Sequence, residues 1–446
     1  MAVTFVLARK VSFSANDRVF VGSLLLVNIV GSMYSKVAKF EPQQKLQEKV
    51  EFENLKTDKR LPNIYHLFLD AYSHSVFAEN IKEKNLAKEM TGFHFFKNTR
   101  SNHMATPLSR GSFMTGKLND YSKKSVHYYM YYQWVGPESI LTRATNKGYR
   151  LSSYADNPIQ TPKNLAHFYR FSSADMYNTS LSNLLDLWLV RVSPVFLRQY
   201  LFINNQGLFS YFDVLKSGLD RLGPVLQVRL FERFLEDEEK RPASGQYVYL
   251  HLFLPHWPHH MNAECRPTMK KTDYYNQSKC ATEVIARFIK RLKELGRYND
   301  SIIVIHSDHG QNGIVNPQER KLELEQYPVG KDLKSRALMA IKPPKSEEPF
   351  AVKEGLYQLL DLAPTVAKLA AIPLPNAEGR SLFPLPKEQL KTTKIITGYY
   401  YKKKELDKKN KATFGVYEYD IENKDLTHVG GVQAIWKGDP SSSGKK

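Results

Sequence analysis

Residues 301–306 read Ser-Ile-Ile-Val-Ile-His, a run rich in β-branched side chains, and Ser307, Asp308, His309 and Gly310 follow at once. A short apolar run of this kind is a buried strand, here one that ends in a carboxylate and an imidazole. Open α/β sheets place their chemistry outside the carboxyl ends of their strands. An adjacent Asp-His pair there offers one hard oxygen and one borderline nitrogen to a divalent metal. A turn with a helix-capping aspartate would use the same two residues, so the pair alone does not decide between the two.

The rest of the chain repeats the strand-and-helix rhythm. Residues 63–69 (Asn-Ile-Tyr-His-Leu-Phe-Leu) form a strand with Asp70 at its end, and residues 77–90 carry apolar groups at helical spacing up to Gly92. The pattern predicts a helix over 138–147, strands over 149–154 and 246–254, and an amphipathic helix over 278–295 stopped by Gly296. A short strand over 337–341 and a helix over 356–371, interrupted at Pro364, complete the series. Strands alternating with helices imply an α/β fold, a mainly parallel central sheet with helices on both faces. Residues 181–202 break the rhythm, being apolar and aromatic but interrupted by Asp186, Arg191, Pro194 and Arg198. They suit a helical insertion, or an amphipathic element lying on a membrane. Beyond residue 391, strands over 395–401 and 412–420 flank a lysine-rich turn and suggest a small antiparallel C-terminal subdomain. The division is then 1–60 for an N-terminal anchor and charged linker, 61–385 for the main domain, and 386–446 for the C-terminal subdomain and a disordered tail.

With 446 residues and a formal charge of +19, the chain exceeds one typical core and favours anionic partners. Phosphorylated or sulfated substrates and an anionic membrane surface fit that charge; nucleic acid does not, since no nucleic-acid-binding motif accompanies the spread lysines. Residues 19–34 are apolar and uncharged, preceded by Arg9, Lys10 and Arg18. They read as a membrane anchor whose basic flank stays cytoplasmic, which puts the bulk of the chain in an extracytoplasmic space. A cleaved signal peptide is the competitor, but no Ala-x-Ala pattern follows. The two cysteines, Cys265 and Cys280, permit a disulfide suited to an oxidising compartment, or two free thiols.

Two further segments carry chemistry. In Thr106-Pro107-Leu108-Ser109-Arg110-Gly111-Ser112-Phe113-Met114-Thr115-Gly116-Lys117 the proline suits the first turn of a helix, with Thr106 as its N-cap. A helix start offers backbone N–H groups to an oxyanion, and a hydroxyl placed there can be made nucleophilic by a bound metal. Capping alone would also account for the threonine. The second segment, His251-Leu252-Phe253-Leu254-Pro255-His256-Trp257-Pro258-His259-His260, again ends a strong strand. Three strand ends thus carry Asp70, His256 and the pair Asp308-His309, which is hard to reconcile with incidental surface histidines.

Taken together these motifs resemble, in order and over roughly residues 61–385, the sulfatase-like branch of the alkaline phosphatase superfamily. The resemblance rests on Asp70 after the first strand, the helix ending in Thr115-Gly116-Lys117, Pro255-His256-Trp257-Pro258, Ser307-Asp308-His309-Gly310, and Asp361-Leu362-Ala363-Pro364-Thr365. Sulfatases carry Cys or Ser, then x-Pro-Ser-Arg; here Ser109 and Arg110 match, Leu108 replaces the proline, and Thr106 holds the nucleophile position. Threonine cannot be oxidised to the formylglycine that sulfatases need. It is the nucleophile of membrane-anchored relatives, the lipoteichoic acid synthases and phosphoethanolamine transferases. The resemblance therefore implies one divalent metal held by Asp70, Thr106, Asp308 and His309, with Thr106 and His256 catalytic and Arg110, His256 and His259 binding the substrate. Zinc or manganese would accompany phosphoryl transfer, and calcium a sulfatase. The implied substrate is an anionic ester such as a phospholipid head group or a surface glycan. A sulfuric ester hydrolase and a non-catalytic membrane-anchored binding protein are the alternatives.

Overall fold

The computed structural model describes residues 57–155 apart from 121, 122 and 125, then 188–193 without 190, 202–203, 206–207, 216–268, 272–311, 333–398, 411–420 and 426–435. The expected anchor at 19–34 and most of 181–202 lie outside these residues. Among the described residues no helix is long and apolar enough to cross a membrane.

In chain order the strands are β1 (Ile64–Leu69), β2 (His94–Arg100), β3 (Arg150–Tyr154), the short β4 (Phe202–Ile203) and β5 (Gln206–Gly207), β6 (Gln246–Leu252), β7 (Ile302–His306), β8 (Met339–Lys342) and β9 (Ala351–Gln358). A C-terminal group follows: β10 (Thr392–Gly398), β11 (Lys411–Asp420) and β12 (Leu426–Ile435). The helices are α1 (His74–Glu83), α2 (Thr106–Thr115), α3 (Val126–Tyr131), α4 (Ile140–Lys147), α5 (Lys216–Lys240), α6 (Tyr274–Glu294) and α7 (Leu362–Leu369). A seven-stranded sheet in the order β3-β6-β1-β7-β8-β2-β9 forms the centre. β8 alone runs antiparallel to its neighbours, so the sheet is mainly parallel, as the alternation implies.

Alternate residues of β1 meet helices on opposite faces. Tyr65 packs edge-on against Phe288 of α6, with centroids 5.9 Å apart, while Phe68 packs against Phe113 of α2 at 5.4 Å. This follows from the period of two along a strand, and because β1 is buried throughout, both sets are apolar or aromatic. The face towards α2 carries His66 and Phe68 from β1, Tyr247, Tyr249 and His251 from β6, and Val304 and His306 from β7. The parallel register sets Phe68 opposite both His251 and His306. The residues that continue this face past the strand ends are Asp70 and Asp308.

Some element boundaries differ from the pattern. The helix expected over 77–90 starts earlier and stops at Glu83, because Asn85 turns left-handed at φ 52° before a single 3-10 turn over Leu86–Lys88. The helix expected from residue 356 begins only at Leu362; residues 356–358 extend β9, which pairs in parallel with β2 and passes Gly355 at φ 125°. Pairing with a strand here overrides helical spacing. Pro364 sits in the first turn of α7, where its missing N–H costs nothing, and so does not break the helix. The C-terminal antiparallel sheet has a third strand, β12, beyond the two expected. Cys265 and Cys280 form a disulfide.

Candidate active site

Helix α2 presents the threonine. Its N-cap is Ala105, in extended conformation, so Thr106 is the first helical residue and not the cap expected from the Thr-Pro pair. The hydroxyl is free of its own backbone. It lies 3.4 Å from Asp70 Oδ2, to which it donates, and 3.5 Å from His309 Nε2. At its other end α2 closes on Gly116 at φ 68°, where a Cβ would come within 2.9 Å of Pro364 Cδ. Glycine there lets the helix end against α7 and fixes where its start points.

Asp70, Asp308 and His309 are all buried, and their ligating atoms lie within 4.8 Å of one another. Asp308 Oδ1 accepts from the backbone N–H groups of Ala71 at 3.0 Å and His309 at 2.9 Å, which pins the carboxylate. Its other oxygen, Oδ2, and Asp70 Oδ1 are buried without a hydrogen-bond partner. Two buried carboxylate oxygens without donors are what a cation would satisfy. The imidazole suits the same purpose: His309 Nδ1–H donates to the Gly310 carbonyl at 2.7 Å, which leaves Nε2 as a lone pair 3.2 Å from Asp308 Oδ2. Two carboxylates, one imidazole and a hydroxyl make a donor set that fits zinc or manganese.

Burial by itself would raise the Asp70 carboxyl. The imidazoles of His251, His256 and His309 outweigh it and hold the group at about 2, so it is a carboxylate at neutral pH. His256 stands at the rim, with 41% of its side chain exposed. Its Nε2 is 4.0 Å from Asp70 Oδ1, and its Nδ1–H donates to the Trp257 carbonyl at 2.5 Å. Arg110 lies one turn after Thr106 on the same face of α2, buried, with its guanidinium 4.0 Å above the Trp134 ring. His259 does not join this group. It is fully buried and edge-on to Tyr274, whose hydroxyl bonds the backbone of Ala71 and Ser73 behind the strand end. A fully buried ring there offers no face to a substrate, contrary to the expectation for His259.

Ser109, the other hydroxyl near the nucleophile position, is committed elsewhere. It donates to the Asp308 carbonyl at 2.8 Å and sits 3.2 Å from Ser101 Oγ, tying α2 to the turn that carries the metal-ligand candidates.

Three features escaped the sequence reading. The first is His251, next to last in β6 and 3.5 Å from Asp70 Oδ2. The second is Lys334: its carbonyl accepts from Gly310 N at 2.8 Å, and burial lowers its ammonium pKa against the opposing pull of Asp308 and Asp70. The third is a buried histidine pair beneath the site, His66 Nε2 to His306 Nε2 at 2.6 Å. His306 Nδ1–H donates to the Ser307 carbonyl, so its Nε2 accepts; His66 Nε2–H therefore donates, and His66 Nδ1 accepts from the Tyr247 hydroxyl at 2.9 Å. Burial keeps both rings neutral, His306 at about 3 and His66 well below its usual value. The three histidines look like core residues in the sequence, because their strands are apolar on either side; Lys334, in the 3-10 turn Leu333–Ser335, looks like one more surface cation of a charged stretch.

Comparison with known proteins converges on one group. The family model described as Sulfatase matches residues 63–372, more than half of the chain. Among solved structures, the phosphonate monoester hydrolase from Silicibacter pomeroyi superposes with a TM-score of 0.52 at 14% identity, covering 85% of this chain and 90% of its own. A protein solved in complex with its substrate D-glucosamine-2-N,6-O-disulfate gives 0.52 at 13% identity, covering 85% and 92%. Another, in complex with a neocarrahexaose, gives 0.50 at 16%, covering 86% and 89%. At these identities the likeness is one of fold. No curated protein sequence matches the chain.

Proposed function

Because the chain belongs to the sulfatase family of hydrolases, we propose that it cleaves or transfers a phosphate ester with Thr106 as nucleophile. The observation that carries this reading is the contrast between a Thr106 hydroxyl held only by long contacts to Asp70 and His309 and a Ser109 hydroxyl already bonded to the Asp308 carbonyl. The nearest alternative hydroxyl of the helix is thus turned away, and threonine cannot supply the aldehyde of sulfate-ester chemistry. Asp70 is followed by Ala71 rather than by the second aspartate usual in sulfatases, which points the same way.

A divalent cation held by Asp70, Asp308 and His309 beside Thr106 would supply the positive charge that lowers the hydroxyl pKa and neutralises the anionic ester. The residues themselves orient and move protons. Asp70 Oδ2 accepts the Thr106 hydrogen bond and so turns an oxygen lone pair towards the open side. As the bond from Thr106 Oγ1 to phosphorus forms, the bond from phosphorus to the leaving oxygen breaks, and the hydroxyl proton passes to water. His256, half exposed and with Nδ1–H committed to a carbonyl, presents Nε2 as the proton donor to the leaving oxygen. Arg110 shares the face of α2 with Thr106 and adds positive potential for an anion. Water, or the hydroxyl of an acceptor, then resolves the phosphothreonine.

The net charge and the uncharged run at 19–34 support a reading in which the enzyme works beside a membrane, on a lipid head group or surface glycan. The disulfide supports an extracytoplasmic compartment. The test is turnover of an aryl phosphodiester and an aryl sulfate by the full chain with Mn2+ or Zn2+. The phosphodiester should be the better substrate, and Thr106→Ala should lower its kcat/KM by about 10³-fold or more. Preference for the sulfate ester, or an unaffected Thr106→Ala variant, would refute the proposal.

A further inference from the structure

His251, next to last in β6, lies at the site, yet nothing in the reaction above uses it. It is fully buried. Its ring lies flat on Phe68, with centroids 3.9 Å apart and 4° between the planes, and it touches Phe253 at 4.8 Å. Both Nδ1 and Nε2 are without a hydrogen-bond partner. Packing alone would favour an apolar ring at this position, because desolvating two imidazole nitrogens costs free energy that a phenyl ring does not.

One polar atom lies close: Asp70 Oδ2 is 3.5 Å from Nε2. Register explains the closeness: Phe68 is opposite His251 in the β1–β6 pairing, Asp70 is two residues further along the same face, and Asp70 N donates to the Leu252 carbonyl at 3.0 Å. The two oxygens of Asp70 are thereby distinguished. Oδ2 receives Thr106 and faces His251, while Oδ1 is buried and unpartnered on the side of His256.

We propose that His251 is a positioning residue for the metal centre: its Nε2–H restrains Asp70 Oδ2, so that Oδ1 stays turned towards the cation position shared with Asp308 and His309. The inference rests on reading that cluster as a metal site. Outer-shell donors of this kind orient a ligating carboxylate before the metal arrives.

The test is calorimetric titration of the metal-stripped full chain with Mn2+, comparing wild type, His251→Gln, His251→Met and Asp308→Ala. Glutamine can place an amide N–H near the imidazole Nε2; methionine fills similar space without a donor. His251→Met should weaken Mn2+ binding about 10- to 100-fold, with His251→Gln within about threefold of wild type. The two metal-free variants should unfold at similar midpoints. Wild-type affinity in His251→Met, or equal weakening in both variants, would overturn the assignment. Should His251→Met not fold, His251→Phe, which preserves the stack on Phe68, replaces it with the same two outcomes. Asp308→Ala separates the premises: if it binds Mn2+ as tightly as wild type, the cluster is not the metal site and the functional reading fails with it.

Discussion

Within one turn of α2, Thr106 and Ser109 are similar β-hydroxyl residues with different tasks. Thr106 is held between Asp70 and His309 by two long contacts, while Ser109 makes a short buried bond to the Asp308 carbonyl. Ser109→Ala should therefore cost about 1–2 kcal/mol of stability, read as a lower denaturant midpoint at unchanged m-value, because it strands a buried acceptor. Thr106→Ala breaks two weak contacts and should leave the midpoint within about 0.5 kcal/mol. At this scale much of the site was legible in the sequence. Asp70, Thr106, Asp308 and His309 each stand at a strand end or helix start, where side-chain type and position suffice. His259 lies apart from the cluster, because nearby residues of an irregular segment can point in different directions, and His256 reaches the rim while His259 is buried against Tyr274.

The elements that support the site are joined through a buried carboxylate. Asp361 leads into α7, and its side chain accepts from the backbone N–H groups of Arg380 at 3.0 Å and Gln358 at 3.4 Å. Burial raises its pKa to about 6, against the opposing pull of those N–H groups and the Arg380 guanidinium. The folded-state value lies above the unfolded one, so this group's contribution is complete below about pH 4 and is lost as pH rises through 6. Wild type should therefore lose up to roughly 3 kcal/mol relative to Asp361→Asn between pH 4 and pH 7, measured by denaturant unfolding across that range. A constant difference would show that the carboxyl does not titrate there. The sequence could not show this. Residues 356–371 carry helical spacing, and only pairing with β2, itself unforeseen, turns residues 356–358 into strand. Long-range partners decide such segments, and local periodicity does not contain them.

Across the whole molecule, the mainly parallel sheet follows from strands alternating with helices, and it is this architecture that gathers residues nearly 240 positions apart, Asp70 and Asp308, at one edge. The antiparallel place of β8 and the third C-terminal strand were not visible, since strand direction leaves no mark on composition. The disulfide closes a 15-residue separation from the segment after His256 to α6. Replacing both cysteines with serine should cost about 3 kcal/mol, seen as a lower unfolding midpoint under non-reducing conditions, and reductant should bring wild type to the same value. A variant as stable as wild type would mean that the segment is held by its other contacts. The central claim, that this site transfers an ester phosphate through a threonine, is tested most directly by mass. The full chain loaded with Mn2+ or Zn2+ is quenched in acid during turnover of an aryl phosphodiester, and intact-mass and peptide analysis then locate any covalent adduct. One phosphoryl-ester adduct should appear, mapped to Thr106 and absent from Thr106→Ala; an adduct on another residue, or one that survives that substitution, would contradict a threonine nucleophile.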